Sequence, residues 1–235
     1  MIATIVNTLA VIVGSLIGLA LRRGIRDGVR EAVYIGIGVV SLIIGISMAL
    51  SATRVLYLAL SLVIGGVVGE LMGIEAGILR LGEFLRRRFT RGDADNQFAY
   101  GFLTASVLFC VGALAIVGSF RAGAEGNYEL ILTKSVMDGF MSILLAGAMG
   151  IGVAFSALTV LLYQGALTLG AVALRPLVSP LVLSEVTGVG GAMVMMIGIN
   201  LLGLKKIQTG NFFPSLVVVL VFVALDPWLG PLSGM

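Results

Sequence analysis

The chain has 235 residues, 59% of them hydrophobic and 11% charged, with a formal net charge of +3. A mean hydropathy of +1.13 excludes a water-soluble domain. One cysteine and no histidine exclude an intramolecular disulfide, a histidine-based metal site and a hydrolase that needs a histidine base.

Apolar stretches of about 18 residues or more reach across the hydrocarbon layer as helices, the form that satisfies the backbone internally. The expected fold is therefore all-α: one polytopic transmembrane bundle over 1–235 with seven or eight membrane segments. Segment 2–21 has no positive stretch ahead of it and is followed by Arg22, Arg23, Arg26 and Arg30. It reads as a permanent span with the N-terminus outside, not as a cleavable signal. Segments 33–51 and 55–74 come next. In 75–89, Ile78, Leu81, Leu85 and Phe89 share a helical face while Arg80, Glu83, Arg87 and Arg88 lie elsewhere. This suits a helix in the cytoplasmic interface, or else an ordinary solvated helix.

Segment 98–120 precedes a loop, 121–138, whose Glu125, Glu129 and Asp138 outnumber Arg121 and Lys134, as expected of an external loop. The remaining segments are 139–163, 165–184, 186–204 and 213–232. Arg175, Pro176 and Pro180 keep 165–184 from being one regular helix. If it crosses, the count is eight and Lys205 and Lys206 fall inside with the other basic residues. If it re-enters, the count is seven and they fall outside. The positive-inside rule favours eight, in a cytoplasmic membrane whose anionic lipid, not nucleic acid, is the partner of the basic residues.

Two stretches look alike: Gly38–Ser47 aligns with Gly191–Asn200 at an offset of 153, and Ser61–Val63 with Ser215–Val217 at 154. Repeat halves can be drawn at 1–74 and 165–232, joined by 75–164. With eight crossings the copies are inverted, a layout shared by many secondary transporters, whose sites lie near the midplane. With seven they run parallel. Glycines at helix-packing spacing, Gly14 with Gly18, Gly65 with Gly69, and Ala146 with Gly150, predict close helix–helix seams. Gly188, Gly190 and Gly191 are either more of the same, or else they line a pore or unwind their segment.

A charge in hydrocarbon is costly and calls for a partner or a wet cavity. Asp138 either caps a helix or, if that helix begins near Glu129, shares a face with Lys134 at i,i+4. Arg175 beside Pro176 is an anion contact or part of a surface turn. Glu185 is a helix-start residue or a coupling group, and Glu70 a snorkelling one. Asn7 and Asn200 are bulkier than the serines and harder to satisfy on their own backbone. The candidate solute or ion site is thus Asn7, Asp138, Arg175, Glu185 and Asn200, with no catalytic residues, metal or cofactor expected. Asn211 reads as a helix cap with Pro214 in the first turn, and Cys110 as a packing residue.

Phe109-Cys-Val-Gly112, Ile116-Val-Gly-Ser119, Thr133-Lys-Ser135, Asp138-Gly139, Gly190-Gly191, Gly198-Ile-Asn200-Leu-Leu202 and Asn211 with Pro214 resemble the bacterial YdfK/YqgA-type integral membrane protein family, a domain-of-unknown-function family. The resemblance runs from the Asn7 region to Pro214. It implies a multi-pass protein of the cytoplasmic membrane and carries over no substrate or site residue.

Three functions compete. A transporter or channel for a small solute or ion follows from the repeat, the broken segment and the few buried polar groups. A non-catalytic oligomeric scaffold or sensor would use the glycine seams but lacks an extramembrane domain. A lipid-acting enzyme would need paired acids with a metal, or a His/Asp dyad, and neither pattern is present.

Overall fold

In the computed structural model, residues 1–22, 27–89, 98–110, 113–174 and 179–229 are described. They form ten α-helices: α1 Ile2–Arg22, α2 Asp27–Ala49, α3 Val55–Met72, α4 Ile74–Phe89, α5 Phe98–Cys110, α6 Ala113–Ala124, α7 Glu129–Met149, α8 Gly152–Leu174, α9 Pro180–Leu201 and α10 Phe213–Leu229, the last preceded by a 3-10 turn at Thr209–Phe212. Seven are long and apolar enough to cross a bilayer alone; α5 and α6, inclined at 59°, make an eighth when taken as one broken span. Large apolar side chains face outward all round, as lipid allows: Leu71, Val63, Val136, Leu169 and Val172 are each more than 60% exposed.

The segment boundaries differ from expectation in the second half. The apolar run 139–163 is cut at Gly150, whose φ of 87° ends α7 in a conformation that favours glycine. The stretch 165–184 is not a span of its own: it divides between the end of α8 and the start of α9, with Arg175 and Pro176 outside the described residues. Pro180 opens α9 at its first position, where no amide is needed, and Ser179 Oγ accepts from the Val182 amide at 3.2 Å. A repeat boundary at 165 therefore falls inside α8. The run 98–120 is also two helices. No charge marks the breaks at Gly150 and after Cys110, so hydropathy passes straight through both, whereas Arg175 and Pro176 stand in the sequence between α8 and α9.

Neighbour contacts fix the direction of each helix. Gly14 meets Gly139 and Gly18 meets Ile143, so α1 and α7 run parallel. Thr4 Oγ1 lies 3.3 Å from Thr168 Oγ1, and Asn7 bonds Gln164, so α1 and α8 are antiparallel. Phe98 abuts Gly152 and Ser106 Oγ lies 3.1 Å from Thr159 Oγ1, so α5 runs with α8. With α2 against α9 and α3 against α10, both antiparallel, direction alternates along the eight segments. Arg22, α4, Lys205 and Lys206 share one end of the bundle.

The glycine seams hold these pairs. A methyl at Gly45 would lie 2.8 Å from Gly191 O, and one at Gly191 2.6 Å from Gly45 O. The same exchange joins Gly38 and Gly198, at 3.2 and 2.9 Å. Since Gly38 aligns with Gly191 and Gly45 with Gly198 in sequence, each contact maps onto the other when the copies are swapped, the pattern of an isologous interface. Gly65 and Gly69 pack on Ser215 and Asn211. Gly188 packs on Ala52 and Leu58 within regular helix, so α9 is neither unwound nor pore-lining there.

Candidate functional site

Helix α7 starts at Glu129, well ahead of Asp138. Asp138 is therefore no cap; it sits one turn beyond Lys134 on the same face, and the two form an ion pair through Asp138 Oδ2. Both are nearly sealed off, at 6% and 7% exposure. From α1, Asn7 Nδ2 donates to Asp138 Oδ2 at 3.0 Å and to Gln164 Oε1 of α8 at 2.8 Å. Asn7 Oδ1 and Gln164 Nε2 are buried with no hydrogen-bond partner among the described residues. One free acceptor and one free donor thus lie beside a charged pair, where an unmet group costs about 1–3 kcal/mol.

A cavity of about 410 Å³ reaches this pair from between α2 and α7, walled by Val40, Ile44, Phe109, Met137, Phe140 and Leu144 among others. The pair lies beside the junction of α5 and α6, whose Leu108, Phe109, Leu114 and Ala115 line the same cavity. Toward the opposite end, Val107 and Ile197 line a small cavity of about 10 Å³ with Glu75, Thr104 and Asn200. That is room for about one water. Beyond it, Tyr100, Asn200, Lys205 and Lys206 line an open vestibule of about 310 Å³. The three spaces follow one another along α5 and α9, with Val107 next to Leu108 and Ile197 one turn from Val194.

The five residues singled out from sequence do not converge. Asn7 and Asp138 come together. Glu185 is fully buried at the other side of α9, where Oε1 accepts from the Thr53 and Arg54 amides at 2.8 and 2.9 Å and from Thr53 Oγ1. Both amides precede Val55, the first residue of α3, so Glu185 ties down the turn between α2 and α3 and caps neither α3 nor its own helix. Beside it Tyr57 Oη donates to Asp226 Oδ1 at 2.8 Å, and Arg54 Nε lies 3.4 Å from the same oxygen. Asn200 uses both ends of its amide on Ile207, accepting from its N–H at 2.6 Å and donating to its carbonyl at 2.8 Å, which staples the α9–α10 turn. Arg175 lies outside the described residues.

Asn211 caps a helix other than its own. Its Oδ1 accepts from the Glu75 amide in the first turn of α4 at 2.7 Å, while Nδ2 donates to Glu70 Oε2 at 2.6 Å. Glu75 Oε2 returns a bond from the Gly210 amide at 2.8 Å. Burial pushes the Glu75 carboxyl above its ordinary value, against the Gly210 amide and Lys206, which favour its charge.

Gln164 was hidden in the sequence because it fell between two drawn segments, 139–163 and 165–184. Its signal was being the sole amide side chain in an otherwise apolar stretch. Among the described residues no three His, Cys, Asp or Glu side chains gather as a metal site would need.

Comparison with known proteins gives the following. The family described as "Protein of unknown function (DUF554)" matches residues 2–224. The chain is 37% identical over 132 residues to an "Uncharacterized membrane protein YdfK" of Bacillus subtilis (strain 168), covering 55% of this chain and 58% of that one. It is 26% identical over 136 residues to an "Uncharacterized protein YqgA" of Escherichia coli (strain K12), covering 58% of each. The matched stretch thus spans somewhat over half the length of these relatives. No solved structure matches.

Proposed function

This chain belongs to the DUF554 family, and from its bundle of membrane-length helices and its buried polar cluster we propose that it is a transporter or channel for a small solute or ion. The observation that carries this reading is the buried Asn7–Lys134–Asp138–Gln164 cluster at the junction of the two halves of a broken span. Discontinuous helices beside buried charge are what carriers use to bind polar cargo inside a bilayer. The reciprocal glycine contacts of α2 and α9 support an inverted repeat, and the row of spaces along α5 and α9 supplies a route. Its narrow middle, between Val107 and Ile197, is the gate.

In this reading the cargo binds against the Lys134–Asp138 pair, while Asn7 Oδ1 and Gln164 Nε2 supply an acceptor and a donor. The end bearing Arg22, Lys205 and Lys206 is cytoplasmic, which puts the N-terminus outside. An oligomeric scaffold is disfavoured because the glycine seams are already filled within the chain.

The test is flux into proteoliposomes across a panel of monovalent cations, anions and small neutral solutes. The expected result is uptake above empty vesicles for one class, reduced to the empty-vesicle level by Asp138→Asn and largely retained by Asn200→Ala. Uptake indistinguishable from empty vesicles across the panel refutes the proposal.

A further inference from the structure

We infer that the crevice between α2 and α7 binds a single-chain amphiphile with an uncharged, hydrogen-bonding head, taken sideways from the bilayer. The space, about 410 Å³, falls within the range of roughly 300–1,000 Å³ typical of small-molecule sites. Its mouth faces the outside of the bundle, where Met137 and Phe140 are 53% and 69% exposed. Along α2 it runs from Val40 to Met48, about 12 Å of helix, so it is a slot and not a dimple.

The slot is polarised. Its polar side chains are Lys134, Asp138 and Thr187, and the rest of the lining is apolar. Tyr34 Oη bonds Ala148 O, so the start of α2 lies by the end of α7. The helices run in opposite directions, which puts Met48 at the level of Lys134, and Val40 deeper, at the level of Leu144. The polar groups therefore lie nearer the bundle end where α7 begins than the apolar end does, with Lys134 in the second turn of α7, Asp138 midway along it and Leu144 beyond. A leaflet amphiphile has the same orientation, head toward the interface and chain toward the midplane.

Charge selects the head. Lys134 and Asp138 neutralise one another, so a charged head must break the pair and strand one partner in a buried setting. A hydroxyl or amide need not. Thr187 Oγ1 is buried without a hydrogen-bond partner among the described residues, and a hydroxyl can both donate and accept. This inference concerns binding and does not rest on the transport reading; a negative flux assay leaves it standing or falling on its own test.

That test is photolabelling of the full chain in phosphatidylcholine nanodiscs with a chain-diazirine monoacylglycerol. A diazirine fatty acid at alkaline pH and a diazirine phosphatidylcholine serve as the charged and two-chain comparators. Saturable labelling is expected within 40–48 and 137–144, strongest for the monoacylglycerol. Ile44→Trp, or Leu114→Trp from the α6 side should the first fail to fold, removes it by filling the slot. Val63→Trp on the outer face of α3 leaves it unchanged. Thr187→Val raises the half-saturating concentration about fivefold, the worth of one hydrogen bond. Labelling that does not saturate, or that spreads evenly over α2, α3 and α7 for all three probes, is annular lipid and overturns the proposal. Preference for the carboxylate probe overturns the assignment of the head.

Discussion

Lys134 and Asp138 are stable in the bundle because each is the other's counter-charge and Asn7 supports the carboxylate. Taking two charges out of water is expensive, and their attraction repays it only while both are present. Asp138→Asn leaves a buried ammonium and should destabilise the protein by about 3 kcal/mol. Adding Lys134→Met should restore most of that loss, since the neutral pair leaves no buried charge without its counter-charge. Thermal unfolding of the three variants in one detergent checks this; equal losses in the single and double variants would show that the pair is not coupled. Sequence alone already offered the i,i+4 relation between the two residues. It grouped Asn7 with Asp138 only as scarce polar residues of the apolar segments and passed over Gln164; Asn7 lies 131 positions from Asp138 and 157 from Gln164, separations no local pattern encodes.

At the scale of elements, capping is local at Ser179 and remote at Asn211. Asn211, expected to cap the helix that Pro214 opens, caps α4 instead, and Glu185, expected as a helix-start residue or a coupling group, holds the turn ahead of α3. A side chain at a helix end satisfies whichever bare amide the fold presents to it, so residue type showed that a cap was present but not which helix it served. Glycine spacing was the more legible signal. Gly14 with Gly18 and Gly65 with Gly69 are close-approach points, whereas Gly150, expected to pair with Ala146, is the residue that ends α7. The two kinds of glycine respond differently to alanine. Gly45→Ala drives a methyl into Gly191 and Met195 and should part α2 from α9, lowering the unfolding midpoint. Gly36→Ala, in the same helix with nothing within 4 Å, should be neutral or stabilising by up to about 1 kcal/mol. Similar midpoints for both would remove the seam as a source of stability.

For the whole molecule, alternation of the eight segments puts the two ends of the bundle on opposite sides of a bilayer. The turn after α2 and the turn after α9 mark those ends. Single cysteines at Ser51 and Lys205, both exposed, in a Cys110→Ala background, report on them. An impermeant thiol reagent added to intact cells should label the cysteine at 51 and spare that at 205 until the membrane is opened. The reverse pattern would invert the orientation, and labelling of both from outside would contradict the alternation itself.

Hydropathy and charge by themselves determined the class: a helical membrane protein, close to the right number of segments, and the faces on which glycine would matter. They do so because burying a bare peptide group in hydrocarbon costs so much that an apolar run of sufficient length has essentially one outcome. Where those runs break, and which scarce polar side chains meet, only the tertiary structure decided. Inside an apolar chain the loop at Gly150 and the bend after Cys110 carry no polar marker, and a buried amide or carboxylate finds its partner through packing against helices remote in sequence.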